Sequence, residues 1–147
     1  MPLPPPPDPA YADRVRASFA AQGVMRHLGA VLALVEPGRC VVELPFRPEL
    51  TQQDGFFHAG VATTIVDTAC GYAAFTLMPA GARVLTVELK MNLVAPARGE
   101  LLRATGRVER AGRTLTVVRS EVEAVTGGEV VTVALMQGTM MGLVAEG

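Results

Sequence analysis

The sequence predicts an α+β domain in which one long apolar helix is wrapped by a curved antiparallel sheet. Three observations lead to it. The stretch from His58 to Leu77 is apolar on nearly every face, as a helix surrounded by protein must be. Four strand-like runs separated by turn signals follow it. Two shorter apolar runs joined at Pro37-Gly38 precede it, and one curved sheet can bury a single helix of this kind.

The elements follow in order. Residues 1–9, MPLPPPPDP, read as a disordered Pro-rich tail, and residues 10–147 as a single domain. The tail has neither a basic nor an apolar segment of the kind a secretion signal needs, so it reads as a stiff polyproline-like lead and the protein as cytoplasmic. Asp8 to about Ala21 predicts a short helix with Asp8 as N-cap, Pro9 at the first helical position, and Val15 and Phe19 on one face. The apolar run Gly23 to Glu36 and the alternating run Arg39 to Phe46 predict a hairpin. Residues 47–57 form a polar connection into the long helix, which Pro79-Ala-Gly81 ends.

Strands are then expected over Val84–Ala95, Glu100–Arg110, Thr114–Ala124 and Glu129–Met141. In the first of these the alternation is clean. Leu85, Val87, Leu89, Met91 and Leu93 fall on one face; Thr86, Glu88, Lys90 and Asn92 fall on the other.

Bulk properties narrow the function. A chain of 147 residues, 50% hydrophobic and 18% charged, can bury one genuine core. A net charge of −1 gives no general attraction to nucleic acid or anionic membrane. Val61 to Met78 is just long enough to span a bilayer, but Asp67 in its middle argues for a helix inside protein. Cys40 and Cys70 lack metal-ligand spacing and read as reduced, packed thiols.

The chemistry concentrates around Gln52-Gln-Asp-Gly-Phe-Phe-His58-Ala-Gly60 and Asp67. A polar loop feeds a helix whose first turn is His58, Ala59 and Gly60. The unpaired N–H groups of that turn are a preformed site for a developing negative oxygen, and Ala59 and Gly60 are small enough to let a substrate approach. Asp67 is a lone carboxylate on an apolar helix, with no basic residue three or four positions away. Ala59 and Asp67 are eight residues apart, on the order of 12 Å along a helix. A carbonyl held by the Ala59 amide therefore cannot meet Asp67 of the same chain, since attack requires about 3–3.5 Å. If both act, they come from different subunits, with two such helices antiparallel about a two-fold axis.

The run QQDGFFHAGVATTIVDTACGYAA, from Gln52, resembles the HGG…D signature of PaaI-like members of the 4-hydroxybenzoyl-CoA thioesterase superfamily. The later runs TVELKMNLVAPARGE and VERAGRTLTVVRSEV resemble that family's following strands, and the resemblance spans about residues 20–141. It implies a hotdog fold and hydrolysis of an acyl-CoA in a homodimer with shared sites, pairing in some members into tetramers, with no metal or redox cofactor. Position by position, it implies that Gln52 orients the thioester or water. His58 matches the motif histidine, and the Ala59 amide polarises the carbonyl. Asp67 acts as general base or nucleophile, and Thr86 positions water. Two departures stand out: Ala59 replaces the first motif glycine, and Gly71 leaves no hydroxyl one turn beyond Asp67.

Other residues have weaker claims. Gly60, Phe57 and Lys90 are candidates for substrate contact, and Arg110 and Arg113 could clamp CoA phosphates across a tight turn. Each has a structural alternative: a helix cap for His58, an ordinary strand threonine for Thr86, a hydrophobic staple for Phe56 and Phe57, a solvated hairpin tip for the arginines. Two rival functions share the fold: a dehydratase or hydratase acting on acyl thioesters, and a non-catalytic acyl-CoA binder.

Overall fold

The computed structural model describes residues 2–144. Helices α1 (Tyr11–Ala21) and α2 (Gly23–Leu28) come first, then strands β1 (Val31–Glu36) and β2 (Arg39–Pro45). A 3₁₀ turn at Pro48–Leu50 precedes the central helix α3 (Ala59–Phe75). Strands β3 (Arg83–Leu93), β4 (Leu101–Ala111), β5 (Leu115–Thr126) and β6 (Glu129–Leu143) complete the chain. All six strands form one antiparallel sheet in the order β1-β2-β4-β5-β6-β3, so β3 crosses to the edge beside the last strand.

The sheet buries α3 through one stripe of that helix. Ile65, Val66, Ala69 and Ala73 are fully buried and meet Val42, Leu102, Val118 and Met140 of the strands. Each such aliphatic side chain contributes about 1.5–3 kcal/mol when fully buried. The helix approaches most closely at Gly106 of β4. A Cβ there would stand 2.4 Å from the Ala69 carbonyl oxygen and 2.6 Å from the Cys70 nitrogen, both backbone atoms that cannot swing aside. Gly106 pairs with Cys40 on β2 and Ser120 on β5, so this contact sits in the middle of the sheet.

Three expectations need correction. The run from Gly23 is not one strand: residues 23–28 form α2, which ends on Gly29 in the left-handed conformation (φ 76°), and only then does β1 begin. The apolar residues Met25 and Leu28, three apart, bury a helical face rather than a pleated one. Asp8 is not the cap of α1, which starts at Tyr11 with Ala10 as N-cap. Asp8 instead closes the preceding turn, accepting from the Ala10 N–H (2.9 Å) and pairing with Arg14 at 3.0 Å. Residues 2–9, the Pro-rich lead, have no helix or strand; Leu3 packs on the core and Asp8 is buried.

The third correction concerns β3. Its pairing with β6 slips between Thr86 and Glu88, where Thr86 faces Met140 and Glu88 faces Thr139. Val87 is the extra residue of a β-bulge, which breaks the alternation and reverses its phase. Val84 and Thr86 before the bulge therefore share the helix side with Leu89 and Met91 after it. Leu85 and Val87 are about half exposed (51% and 52%). The sequence pattern had placed Thr86 on the opposite face, with Lys90.

Two predictions follow from the packing. Gly106→Ala forces α3 off the sheet and should lower unfolding stability by about 1–3 kcal/mol or more, measured by denaturant titration. Burial pushes the thiols of Cys40 and Cys70 up to about 12. The native protein should therefore react with no thiol reagent at pH 8, and both cysteines should titrate once it is unfolded. Since these thiols ionise more readily in the unfolded chain, stability should fall as pH rises from about 9 toward 12.

Candidate active site

The long helix carries two different surfaces besides its buried stripe. At its N-terminus, His58 is extended (φ −64°, ψ 138°) and acts as N-cap, its Nδ1 accepting from the Gly60 N–H at 2.8 Å. A Cβ on Gly60 would stand 3.0 Å from that Nδ1, so a larger residue would push the capping imidazole back by a few tenths of an ångström. His58 therefore caps the helix. The Ala59 N–H finds no acceptor among the described residues. It sits on the exposed first turn, at the positive end of the helix dipole. No non-glycine residue among the described ones has positive φ, so alanine in place of the motif glycine costs no backbone strain.

Gln52 stands beside this helix end. Its Oε1 accepts from the N–H groups of Asp54 and Phe56 and so shapes its own loop. Its Nε2 has no acceptor among the described residues. Gln52, Phe57 and Ala59 line a cavity of about 490 Å³, with Leu93, Pro96 and Ala97 opposite. Phe57 is buried and packs edge-on against Phe46 (5.4 Å). Phe56 also lines this cavity, and the Arg98 guanidinium lies 5.1 Å from its ring centre.

The second surface is the stripe Thr64, Asp67, Thr68 and Gly71, at helical spacing. Asp67 is half-buried, and its Oδ1 accepts from Thr86 Oγ1 at 2.7 Å. The bulge in β3 makes this bond by turning Thr86 toward the helix. Asp67 forms no ion pair among the described residues, so one carboxylate oxygen is left for other chemistry. Asp67 and Thr86 line a separate cavity of about 210 Å³, which shares no residue with the one at Ala59.

One chain therefore brings Asp67 to Thr86 and Gln52 to Ala59, but does not bring the two pairs together. The remaining candidates lie apart from both cavities. Lys90 is on the outer face of the sheet, its Nζ donating to Asn92 Oδ1 at 2.9 Å. Arg110, near the end of β4, and Arg113, in the turn before β5, are exposed. Sequence reasoning missed Gln22 and Tyr72, which close one end of the Asp67 cavity, and Arg98 at the Ala59 cavity. Only Arg98 had a local signal, as a cation in the Pro96–Gly99 turn, and nothing in the string shows that this turn returns to Phe57. The Phe57 N–H donates to the Ala97 carbonyl at 2.8 Å. Among the described residues no three His, Cys, Asp or Glu side chains converge as a metal site would need, and no helix is long and apolar enough to cross a membrane.

Comparison with known proteins agrees with this architecture. A crystal structure of a thioesterase family protein from Silicibacter pomeroyi superposes with a TM-score of 0.90 at 47% identity, covering 92% of this chain and 99% of that one. The PaaI protein of the E. coli phenylacetic acid degradation operon shares the fold, with a TM-score of 0.80 at 21% identity over 90% of this chain and 93% of that one. Acyl-coenzyme A thioesterase 13 of Homo sapiens is 29% identical over 103 residues, 69% of this chain and 73% of that protein. Residues 54–131, from the loop before α3 into β6, match the sequence profile of the thioesterase superfamily. With that match over more than half its length and the hotdog fold around α3, the chain belongs to the thioesterase superfamily.

Proposed function

We propose that the protein hydrolyses acyl-CoA thioesters at two equivalent sites, each formed by the Ala59 end of one subunit and Asp67 of its partner. One observation carries this reading: the free Ala59 amide and the half-paired Asp67 carboxylate line separate cavities of the same chain. They are on the order of 12 Å apart along α3, so a two-fold arrangement supplies what one copy lacks. Strand β3 offers the means. It is an 11-residue edge strand with Leu85, Val87 and Leu93 exposed, a surface that pairing with a second copy would cover.

In the proposed reaction the thioester oxygen rests on the Ala59 N–H at the helix N-terminus, which stabilises the charge that builds there. Asp67 takes a proton from water as the water oxygen bonds to the carbonyl carbon. The C–S bond then breaks, the proton passes to the departing CoA sulfur, and the free acid remains. Thr86 holds the carboxylate in orientation, and the free Nε2 of Gln52 helps place the thioester. Support for a CoA ester comes from the named activity of the human relative and from Arg98 beside the Ala59 cavity. Two unpaired, buried cysteines suit a reducing, cytoplasmic setting.

Free-thiol release from a panel of CoA thioesters tests the activity. Asp67→Asn should lower kcat by about 10²–10⁴-fold with an unchanged melting temperature. Ala59→Pro removes one N–H at the first helical position, where proline is tolerated after an extended residue such as His58, and should lower kcat by about 10²–10³-fold. Refolding these two inactive variants together tests the shared site. Each mixed dimer would regain one intact pairing of Ala59 with Asp67. No recovery in mixed dimers would sink the two-subunit arrangement, and full activity in Asp67→Asn would sink the catalytic assignment.

A further inference from the structure

Thr64, Asp67 and Thr86 line the same cavity, and the reaction above gives Thr64 no part. The hydroxyl proton of Thr64 is already committed. Its Oγ1 donates to the Gly60 carbonyl at 2.8 Å, one turn back along α3. A hydroxyl has one hydrogen to donate and two lone pairs, so toward the cavity Thr64 can only accept. Thr86 is committed in the same way. Its proton goes to Asp67 Oδ1 at 2.7 Å rather than to the Met140 sulfur at 3.4 Å, because a bond to a carboxylate is the stronger. The Asp67 carboxylate accepts as well, and Thr86 is its one side-chain donor among the described residues. These three side chains therefore form a wall of acceptors with no hydrogen left to offer.

Such a wall suits a small molecule with two hydrogens to give. A water that donates to both Thr64 and Asp67 has neither of its lone pairs tied up by them, and a lone pair is what attacks a carbonyl carbon. The spacing permits it. Thr64 and Asp67 are three residues apart on one helix face, which sets their Cβ atoms about 5–6 Å apart. One water spans that gap, with each O–H···O bond about 2.7–2.8 Å long. The neighbouring Thr63 offers a contrast. Its hydroxyl also donates back along the helix, to the Ala59 carbonyl at 2.8 Å, but it lies against the Met91 sulfur at 3.1 Å and lines neither cavity.

We infer that Thr64 is a water-positioning residue: its Oγ1 accepts one hydrogen of the attacking water while the free oxygen of Asp67 accepts the other. The inference rests on the proposed thioesterase activity. As the water oxygen bonds to the carbonyl carbon, the proton facing Asp67 moves to the carboxylate. The hydrogen held by Thr64 stays on the new acid. When the C–S bond breaks, the proton on Asp67 goes to the departing sulfur. Thr64 thus acts on the orientation of the nucleophile, and its back-bond to Gly60 matters because it turns a hydroxyl into an obligate acceptor.

The test compares wild type, Thr64→Val, Thr64→Ser and Thr63→Val on the CoA ester that the panel shows to be hydrolysed fastest, with and without hydroxylamine as a rival nucleophile. Each variant is checked for an unchanged melting temperature and sedimentation coefficient. Thr64→Val keeps the shape and loses the oxygen; it should lower kcat by about 10–10²-fold with KM within about twofold. Thr64→Ser restores the oxygen and should recover most of that loss. Thr63→Val loses the same kind of back-bond but no group of the cavity, and should keep kcat within about twofold. Hydroxylamine is the stronger nucleophile and depends less on being held. In Thr64→Val the ratio of hydroxamate to free acid, corrected for the reaction without enzyme, should therefore rise by about fivefold or more. Should Thr64→Val fail to fold or associate, Thr64→Ala makes the same comparison. An unchanged kcat in Thr64→Val, an equal loss of both products, no recovery in Thr64→Ser, or an equal loss in Thr63→Val overturns the inference and leaves the thioesterase reading standing. No hydrolysis of any ester by wild type overturns both.

Discussion

The close contact between α3 and the sheet at Gly106 is the constraint on which the rest depends. With no side chain at that point, the Ala69–Cys70 backbone can lie directly on β4, and the aliphatic residues on either side of the contact interlock with β2, β5 and β6. This fixes which stripe of the helix is covered. Because Ile65, Val66, Ala69 and Ala73 face the sheet, the Thr64–Asp67–Thr68–Gly71 stripe must face away from its centre, toward the N-terminal helices and the β3 edge. The placement of the carboxylate is therefore a consequence of helix packing. Rotating α3 by one residue would carry Asp67 about 100° round the helix, into or away from the sheet.

The edge strand is the second determinant. An unbroken β3 would present Leu89 and Met91 to the helix and send Thr86 outward. The single extra residue at Val87 lets the strand do both things: apolar packing beyond the bulge and a hydroxyl directed at Asp67 before it. Bulges at sheet edges commonly re-aim one side chain in this way. Since β3 has no strand on its other side, the local distortion disturbs only one ladder, and the residues nearest the carboxylate are also those nearest the open edge.

The N-terminus and the middle of α3 thus carry the two groups on which the proposed mechanism draws. The N-terminus offers an unpaired amide in the field of the helix dipole, which suits a developing oxyanion. The middle offers a carboxylate held by one hydroxyl, which suits proton transfer from water. Separating them along one rigid rod keeps the oxyanion site and the carboxylate from competing within a subunit, and makes association of two copies a condition of activity in the proposed mechanism. Hydrogen bonds from Ser18 and Gln22 to the Tyr72 hydroxyl tie the N-terminal helices to α3.

By itself, the sequence determined the architecture and the identity of the central groups. The all-round apolar stretch after His58 demanded burial, the turn signals divided the following residues into four strands whose ends the structure moves by at most a few residues, and Asp67 stood out because a lone acid in such a helix has a large desolvation cost. These are local properties, of pattern and of chemical type, and a string displays them. Tertiary structure alone decided the rest. The helix over residues 23–28 shows in a short apolar run no more clearly than a strand does, since both periods fit so few residues. The side to which Thr86 points depended on a bulge that only pairing with β6 reveals. Gln22 and Tyr72 meet through contacts 50 residues apart, and Lys90 on the outer face of β3, Arg110 near the end of β4 and Arg113 in the turn before β5 lie apart from both cavities because the strand pairing sets which face and end each occupies. Register and close packing are properties of the folded chain as a whole, because each is settled by which distant backbone atoms come within a few ångströms of one another.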